Sequence, residues 1–221
     1  MSALIKKSTS LAVAVTKSST ATTTVQASNT ETLVICMDCS GSMRDFSEGN
    51  KTRMDVALES ASMLIRASSV LSHVGLVAFH DMLAEVVAPC VPRGTLFERL
   101  SGFRKHDGGT HFAPAVRGAL REIASHKWGS IKRIIFLSDG EDFDNEESRR
   151  ALIAVVNECA DAKVIIDTVM FGSSPAGEAT LKMMSEKTGG IFCLAKDAAS
   201  LRRTFLSLEA GARGLLTGGK R

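Results

Sequence analysis

Residues 32–42 read TLVICMDCSGS, an apolar run that ends in a cluster of oxygen-bearing side chains. Residues 32–37 are rich in apolar and β-branched side chains without alternation, which predicts a strand covered on both faces. Asp38, Ser40 and Ser42 follow directly, and Gly41 permits a tight turn between the two serines. The stretch therefore predicts a parallel-sheet strand that delivers polar side chains to its carboxyl end.

Five further segments have the composition of strands, and helix-length amphipathic segments lie between most of them. The strand candidates span residues 74–80, 84–88, 131–137, 164–171 and 191–195, and the helix candidates span 54–68, the segment after Thr110, 145–162, 176–188 and 197–210. This alternation predicts a doubly wound, Rossmann-like α/β fold: a mostly parallel six-stranded sheet with helices on both faces. The connection between the second and third candidates is too short for a helical crossover, so they predict one antiparallel edge strand.

Residues 31–211 are predicted to form one domain between two tails. Residues 1–30 are rich in Ser and Thr and contain three lysines and no acidic residue, which favours a flexible tail, with organelle targeting as the alternative. Residues 212–221 form a short basic tail. The three lysines account for the whole net charge of +3, so the body of the chain is neutral. A neutral body without Tyr argues against a nucleic-acid groove.

The five cysteines, an odd number, indicate reduced thiols packed in a core and hence a cytoplasmic protein. Cys36 and Cys39 have the spacing of a redox or zinc pair, but no second pair exists and the two residues straddle a strand end, so no thiol function is predicted. No apolar stretch approaches the ~20 residues of a membrane span.

Two more loops carry the same kind of oxygen-bearing residues as Asp38, Ser40 and Ser42. Asp139 follows the strand at 131–137, and Thr110 ends a Gly-Gly-Thr turn just before a helix. Loops at the carboxyl ends of neighbouring parallel strands converge on one crevice, so two carboxylates and three hydroxyls are expected at one point. This donor set suits a hard divalent cation, Mg²⁺, with Mn²⁺ or Ca²⁺ as alternatives. The competing interpretation, three unrelated turns, does not account for the order of the loops.

The pattern Asp38-x-Ser40-x-Ser42, a later Gly-Gly-Thr110 and a still later Ser-Asp139-Gly resembles the metal ion-dependent adhesion site (MIDAS) of von Willebrand factor A (VWA) domains, with all its segments present. The alternation of elements matches that family from about residue 31 to residue 210. The resemblance implies that the two serines contact the metal directly, that Thr110 does so directly or through water, and that the two aspartates act mainly through waters. It also implies that a partner's Asp or Glu completes the metal shell.

This resemblance implies a metal-dependent protein-binding module of the intracellular type, which acts within a multiprotein assembly and is not an enzyme. A Mg²⁺-dependent phosphoryl-transfer enzyme is one alternative, but Ser40 and Ser42 stand where such enzymes need a second carboxylate, and no Lys is convincingly placed. A secreted adhesion protein is another, but the free cysteines and the lack of a recognisable signal peptide oppose it.

Four further polar residues adjoin the candidate site. His106 and His111 flank the Gly-Gly-Thr turn and are predicted to be exposed loop histidines, because a hydroxyl-rich site favours Mg²⁺ over a softer metal. Glu141 and Asp142 add negative charge after Asp139. They could hold a second cation or form the solvated approach to a helix, and we favour the second interpretation.

Overall fold

The computed structural model describes residues 30–69, 72–102, 108–126, 129–140, 142 and 145–216, so the proposed tail at 1–29 and the end of the chain from 217 lie outside the described residues. The strands are β1 Glu31–Asp38, β2 Phe46–Glu48, β3 Lys51–Thr52, β4 Ser72–Phe79, β5 Leu83–Val87, β6 Ile131–Ser138, β7 Val164–Phe171 and β8 Phe192–Ala195. The helices are α1 Arg53–Ala67, α2 Arg93–Gly102, α3 Phe112–Ser125, α4 Glu146–Asp161, α5 Pro175–Thr188 and α6 Ala198–Leu216.

Six strands form one sheet in the order β5-β4-β1-β6-β7-β8. The pairs β4–β1, β1–β6, β6–β7 and β7–β8 are parallel, and β4–β5 is antiparallel. The predicted fold class is therefore confirmed, including the single antiparallel edge strand. The order reverses at β1: the chain first adds β4 on one side and later β6 on the other. Ligand sites of doubly wound sheets lie at such a switch point.

Helices cover the sheet on both faces, which explains the apolar strands. One core cluster joins alternate residues of the central strands, such as Ile35 and Ile135, to α1, α2 and α6. The other joins the intervening residues, such as Val34 and Phe136, to α3, α4 and α5. Because both faces are buried, strand positions on either side are apolar and no simple alternation remains.

The beginning of α1 is fixed by its own sequence. The Thr52 hydroxyl accepts a hydrogen bond from the Asp55 backbone N–H at 3.1 Å, and the Asp55 carboxylate accepts one from the Thr52 N–H at 2.9 Å. This reciprocal pair is a capping box. The box makes Arg53 the first residue of the helix.

Some elements were not predicted from the sequence. A two-stranded hairpin, β2–β3, follows a short 3-10 helix at Gly41–Arg44, and α2 precedes the Gly-Gly-Thr turn. In addition, α6 continues to Leu216, beyond residue 210, where the candidate helix was expected to end. No helix in the described ranges combines the length and apolar character needed to cross a membrane.

Charged residues are buried at the end of the sheet opposite the strand carboxyl ends. Arg133 in β6 donates to the Glu31 carboxylate at 2.7 Å and to the Asp167 carboxylate at 2.6 Å, and all three side chains are buried. Arg133 also donates to the Leu208 carbonyl oxygen in α6 at 3.3 Å. This triad of Arg133, Glu31 and Asp167 therefore joins three strands and α6 within the core.

Candidate functional site

Strand pairing brings the first two predicted loops together. Met37 is in register with Leu137, so Asp38 and Ser138 lie side by side at the carboxyl ends of β1 and β6. The loop after β1 is also tied to β4, because the Cys39 N–H and thiol both donate to the Phe79 carbonyl oxygen, at 2.7 and 2.9 Å. The loops after β1 and β6 are therefore held at the switch point of the sheet.

Asp38 forms the floor of this site. It is fully buried; one carboxylate oxygen accepts the Ser40 N–H at 2.8 Å and the other accepts the Ser138 hydroxyl at 2.6 Å. Burial raises the pKa of Asp38 from 3.8 to about 6, although the hydrogen bonds from Ser138 and Ser40 oppose the rise. The negative charge of the nearby Asp139 also raises the pKa of Asp38. A positive charge placed beside Asp38 would relieve this unfavourable burial of its charged form.

Ser40, Ser42 and Asp139 form a continuous chain of oxygen atoms. The two serine hydroxyl oxygens are 3.1 Å apart, and the Ser42 hydroxyl donates to Asp139 Oδ1 at 2.8 Å. Ser40 and the Asp139 side chain are buried whereas Ser42 is exposed, so the chain reaches the surface at Ser42. The structure thus brings four of the five predicted metal residues, Asp38 included, into one hydrogen-bonded group.

The loop that carries Thr110 packs against the first loop. The Gly41 N–H donates to the Gly108 carbonyl oxygen at 3.2 Å, and the His111 N–H donates to the His80 carbonyl oxygen at 2.9 Å. Gly108 has a φ of 73°, a left-handed conformation that favours glycine. Thr110 itself is half-buried, two residues before α3 begins. The third loop is therefore fixed beside the first at the same edge of the sheet.

Arg53 is a member of the site that the sequence analysis did not identify. Its guanidinium donates to Asp139 Oδ2 at 2.6 Å, and its Nη1 lies 3.7 Å from Asp45 Oδ2. The Asp139 side chain is completely buried. The spacing of Thr52 and Asp55 is a sequence signal for a helix that begins at Arg53, close to the loop after β1.

The neighbouring polar residues have local roles. His111 precedes the first residue of α3 and is half-buried rather than exposed as predicted, because the loop that carries it is held against β4. Asp142 accepts the Phe112 N–H at 2.8 Å, which satisfies a backbone donor at the start of α3. His106 and Glu141 lie outside the described residues.

The thiols near the site are poorly suited to chemistry. Burial raises the pKa of Cys39 to about 12, and the charges of Asp38 and Asp81 add to the rise. Burial likewise raises the pKa of Cys36 well above its ordinary value, with Cys159 contributing. The thiolate is the reactive form, so burial of these two cysteines disfavours thiol chemistry at neutral pH.

The donor chemistry of the site fits a hard divalent cation. Carboxylates of Asp38 and Asp139 and hydroxyls of Ser40 and Ser42 are oxygen ligands of the type that Mg²⁺ prefers. Across the described part of the chain, no group of three or more His, Cys, Asp or Glu residues could hold a metal ion. The arrangement at the switch point instead combines two carboxylates with two serine hydroxyls.

Comparisons with known proteins agree with the architecture. Residues 33–141 match the model of the von Willebrand factor type A domain family, and this segment contains all five predicted metal residues. A von Willebrand factor type A structure from Catenulispora acidiphila superposes with a TM-score of 0.72 at 22% identity, covering 84% of this chain and 43% of that one. The chain has the von Willebrand factor A fold.

Two other similar structures come from bacterial pili. A D319A mutant of the PilB minor pilin from Streptococcus sanguinis gives a TM-score of 0.69 at 14% identity, over 90% of this chain and 65% of that one. The pilus adhesin SpaC from Lactobacillus rhamnosus GG gives 0.66 at 11% identity, over 83% and 30%. This VWA-fold chain thus spans less than two thirds of the Catenulispora and PilB chains. No curated protein matches its sequence.

Proposed function

We propose that this chain is a VWA domain that binds a protein partner through a divalent cation, with Mg²⁺ as the resident ion. Asp38, Ser40, Ser42, Thr110 and Asp139 would hold the ion, directly or through water. The observation that carries the proposal is the chain of oxygen atoms from Ser40 through Ser42 to Asp139, which is joined to Asp38 through the Ser40 N–H and is exposed at Ser42. The match of residues 33–141 to a family of protein-interaction modules supports the same conclusion.

The partner is expected to offer an Asp or Glu side chain. The hydroxyl ligands of the site are neutral and leave the cation with a net positive charge. Since Ser42 is exposed, a carboxylate from another protein can reach this end of the site. The bound ion would supply an electrophilic centre for that carboxylate, and the serines and aspartates would fix its position.

The hydrogen bonds of Asp38 favour binding over phosphoryl transfer. A nucleophilic aspartate needs an accessible carboxylate oxygen, whereas both oxygens of Asp38 are engaged by Ser40 and Ser138 in a buried position. Its role in the proposed module is to provide negative charge beneath the cation. We therefore propose a non-enzymatic function.

The proposed setting is an intracellular multiprotein assembly. Cys36, Cys39 and Cys159 are free and buried in the core, as suits a reducing compartment. The similarity to a pilin and a pilus adhesin favours the second candidate, adhesion at the cell surface. Protease treatment of intact cells distinguishes the two locations, because only a surface protein is degraded.

The test is capture of partners from a lysate of the native cells by the tagged chain, in Mg²⁺ and in EDTA. Ser42→Ala removes an exposed metal ligand with little expected cost in stability. Ser47→Ala is the matched control, because Ser47 is also exposed but lies in the β2–β3 hairpin. A partner lost in EDTA and with Ser42→Ala, but retained with Ser47→Ala, supports metal-bridged binding. A set of partners that is the same in Mg²⁺, in EDTA and with Ser42→Ala contradicts metal-bridged binding.

A further inference from the structure

Arg53 and a divalent cation require the same carboxylate. The Arg53 guanidinium contacts Asp139 Oδ2 at 2.6 Å, while the other oxygen, Oδ1, accepts the Ser42 hydroxyl. The Asp139 side chain has no solvent exposure, so its charge must be balanced by a protein group or by a bound ion. In this structure that group is Arg53.

A second carboxylate lies within reach of the same arginine. Arg53 Nη1 is 3.7 Å from Asp45 Oδ2, and the Arg53 N–H donates to the Asp45 carbonyl oxygen at 2.8 Å. The Arg53 side chain is 30% exposed and that of Asp45 is 66% exposed. A small rotation of the guanidinium toward solvent would therefore exchange a buried partner for an exposed one without moving the backbone.

We infer that Arg53 is the counter-ion of Asp139 in the metal-free protein and competes with the divalent cation, which displaces the guanidinium toward Asp45. The inference rests on the proposed metal site and adds a residue that sets its affinity. The physical reason is that two positive charges a few ångströms apart in a partly buried site repel each other, whereas either one alone neutralises Asp139. Arg53 thus lowers metal affinity and stabilises the metal-free state.

The test is calorimetric titration of Mg²⁺ into metal-stripped protein, together with thermal unfolding in EDTA and in Mg²⁺. Arg53→Gln is expected to bind Mg²⁺ about tenfold more tightly than wild type, to unfold at a lower temperature in EDTA, and to gain more stability from Mg²⁺. Arg53→Lys keeps the charge and is expected to stay nearer to wild type. Arg66→Gln removes an equal charge from an exposed position on the same helix and is the matched control, with unchanged affinity.

The outcomes separate this inference from the proposed function. Equal or weaker Mg²⁺ binding by Arg53→Gln overturns the competition, while binding by the wild type still supports the metal site. If Arg53→Gln binds Mg²⁺ and the wild type does not, the competition is supported, but the proposal that Mg²⁺ is the resident ion of the wild type is contradicted. Absence of binding in both proteins overturns both ideas.

A measurement on the wild type keeps the inference testable if Arg53→Gln does not fold. The Nε–H resonance of Arg53 in ¹⁵N-labelled protein is expected to shift on addition of Mg²⁺, as the guanidinium leaves Asp139. A resonance that stays in place while Mg²⁺ binds overturns the competition.

Discussion

Substitution of Arg133 by Met should cost about 4 kcal/mol of unfolding free energy, near the middle of the range for removal of one partner from a buried ion pair. The arginine neutralises Glu31 and Asp167 deep in the core and also donates to the Leu208 carbonyl oxygen. Burial alone lowers the pKa of Arg133, but the charges of Asp167 and Glu31 outweigh it and raise that pKa above its ordinary value. In the variant both acids remain buried without their cation.

Urea unfolding followed by circular dichroism measures this loss. With an m value of about 2.5 kcal/mol/M, the midpoint should fall by about 1.5 M. Arg117→Met is the matched control: Arg117 forms a comparable two-bond pair with Glu158 at 3.0 and 3.1 Å, but both side chains are about half exposed, so its loss should cost under about 1 kcal/mol. Asp167→Asn added to Arg133→Met should restore part of the stability. Equal unfolding free energies for the Arg133 and Arg117 variants would mean that burial of the triad does not make the loss of its cation more costly.

Three further predictions concern the site and its supports. Because burial raises the pKa of Asp38 to about 6 in the folded state, its contribution to stability is full only below its ordinary pKa of 3.8 and is lost as the pH rises through 6. In EDTA, the unfolding free energy of Asp38→Asn relative to wild type should therefore increase by about 2 kcal/mol between pH 4 and pH 7; a constant difference would contradict this. Gly177→Ala should destabilise the fold by about 1–3 kcal/mol, because a Cβ there would lie 2.5 Å from the Gly140 carbonyl oxygen. Gly94→Ala is the control, because a Cβ at Gly94 would meet open space. Equal thermal midpoints for the two variants would count against the contact at Gly177. Thr52→Ala should cost about 1 kcal/mol in urea unfolding by removing the cap of α1, and no loss would mean that the cap contributes little.

The sheet was predictable from sequence because its strands are short apolar runs at regular spacing. The run at 32–37 proved to be the centre of β1, and the few residues between 80 and 84 correctly indicated an antiparallel connection. Helices α1 and α4 were recognisable from apolar residues on one face together with polar residues at their starts. Such local patterns determine which elements form and, through chain connectivity, which loops meet at the switch point.

The ion pairs of the structure were not predictable, because they join residues far apart in the chain. Arg53 and Asp139 are separated by 86 positions, and Arg133 lies in a strand whose pattern gave no sign that an arginine would be buried there. The β2–β3 hairpin was missed because its strands have only three and two residues. Strands of that length carry too few side chains for any periodicity to be recognised.

The proposed metal site is tested most directly by titration of Mn²⁺ into the metal-stripped chain, with free Mn²⁺ measured by electron paramagnetic resonance. Mn²⁺ serves as a spectroscopic substitute for Mg²⁺, since both take oxygen ligands. If the proposed metal site is correct, Mn²⁺ occupies one saturable site per chain, from which Mg²⁺ displaces it. This site is lost in Ser40→Ala/Ser42→Ala and kept in Ser47→Ala. Absence of saturable binding, or a site that survives loss of both hydroxyls, would contradict the proposed metal site.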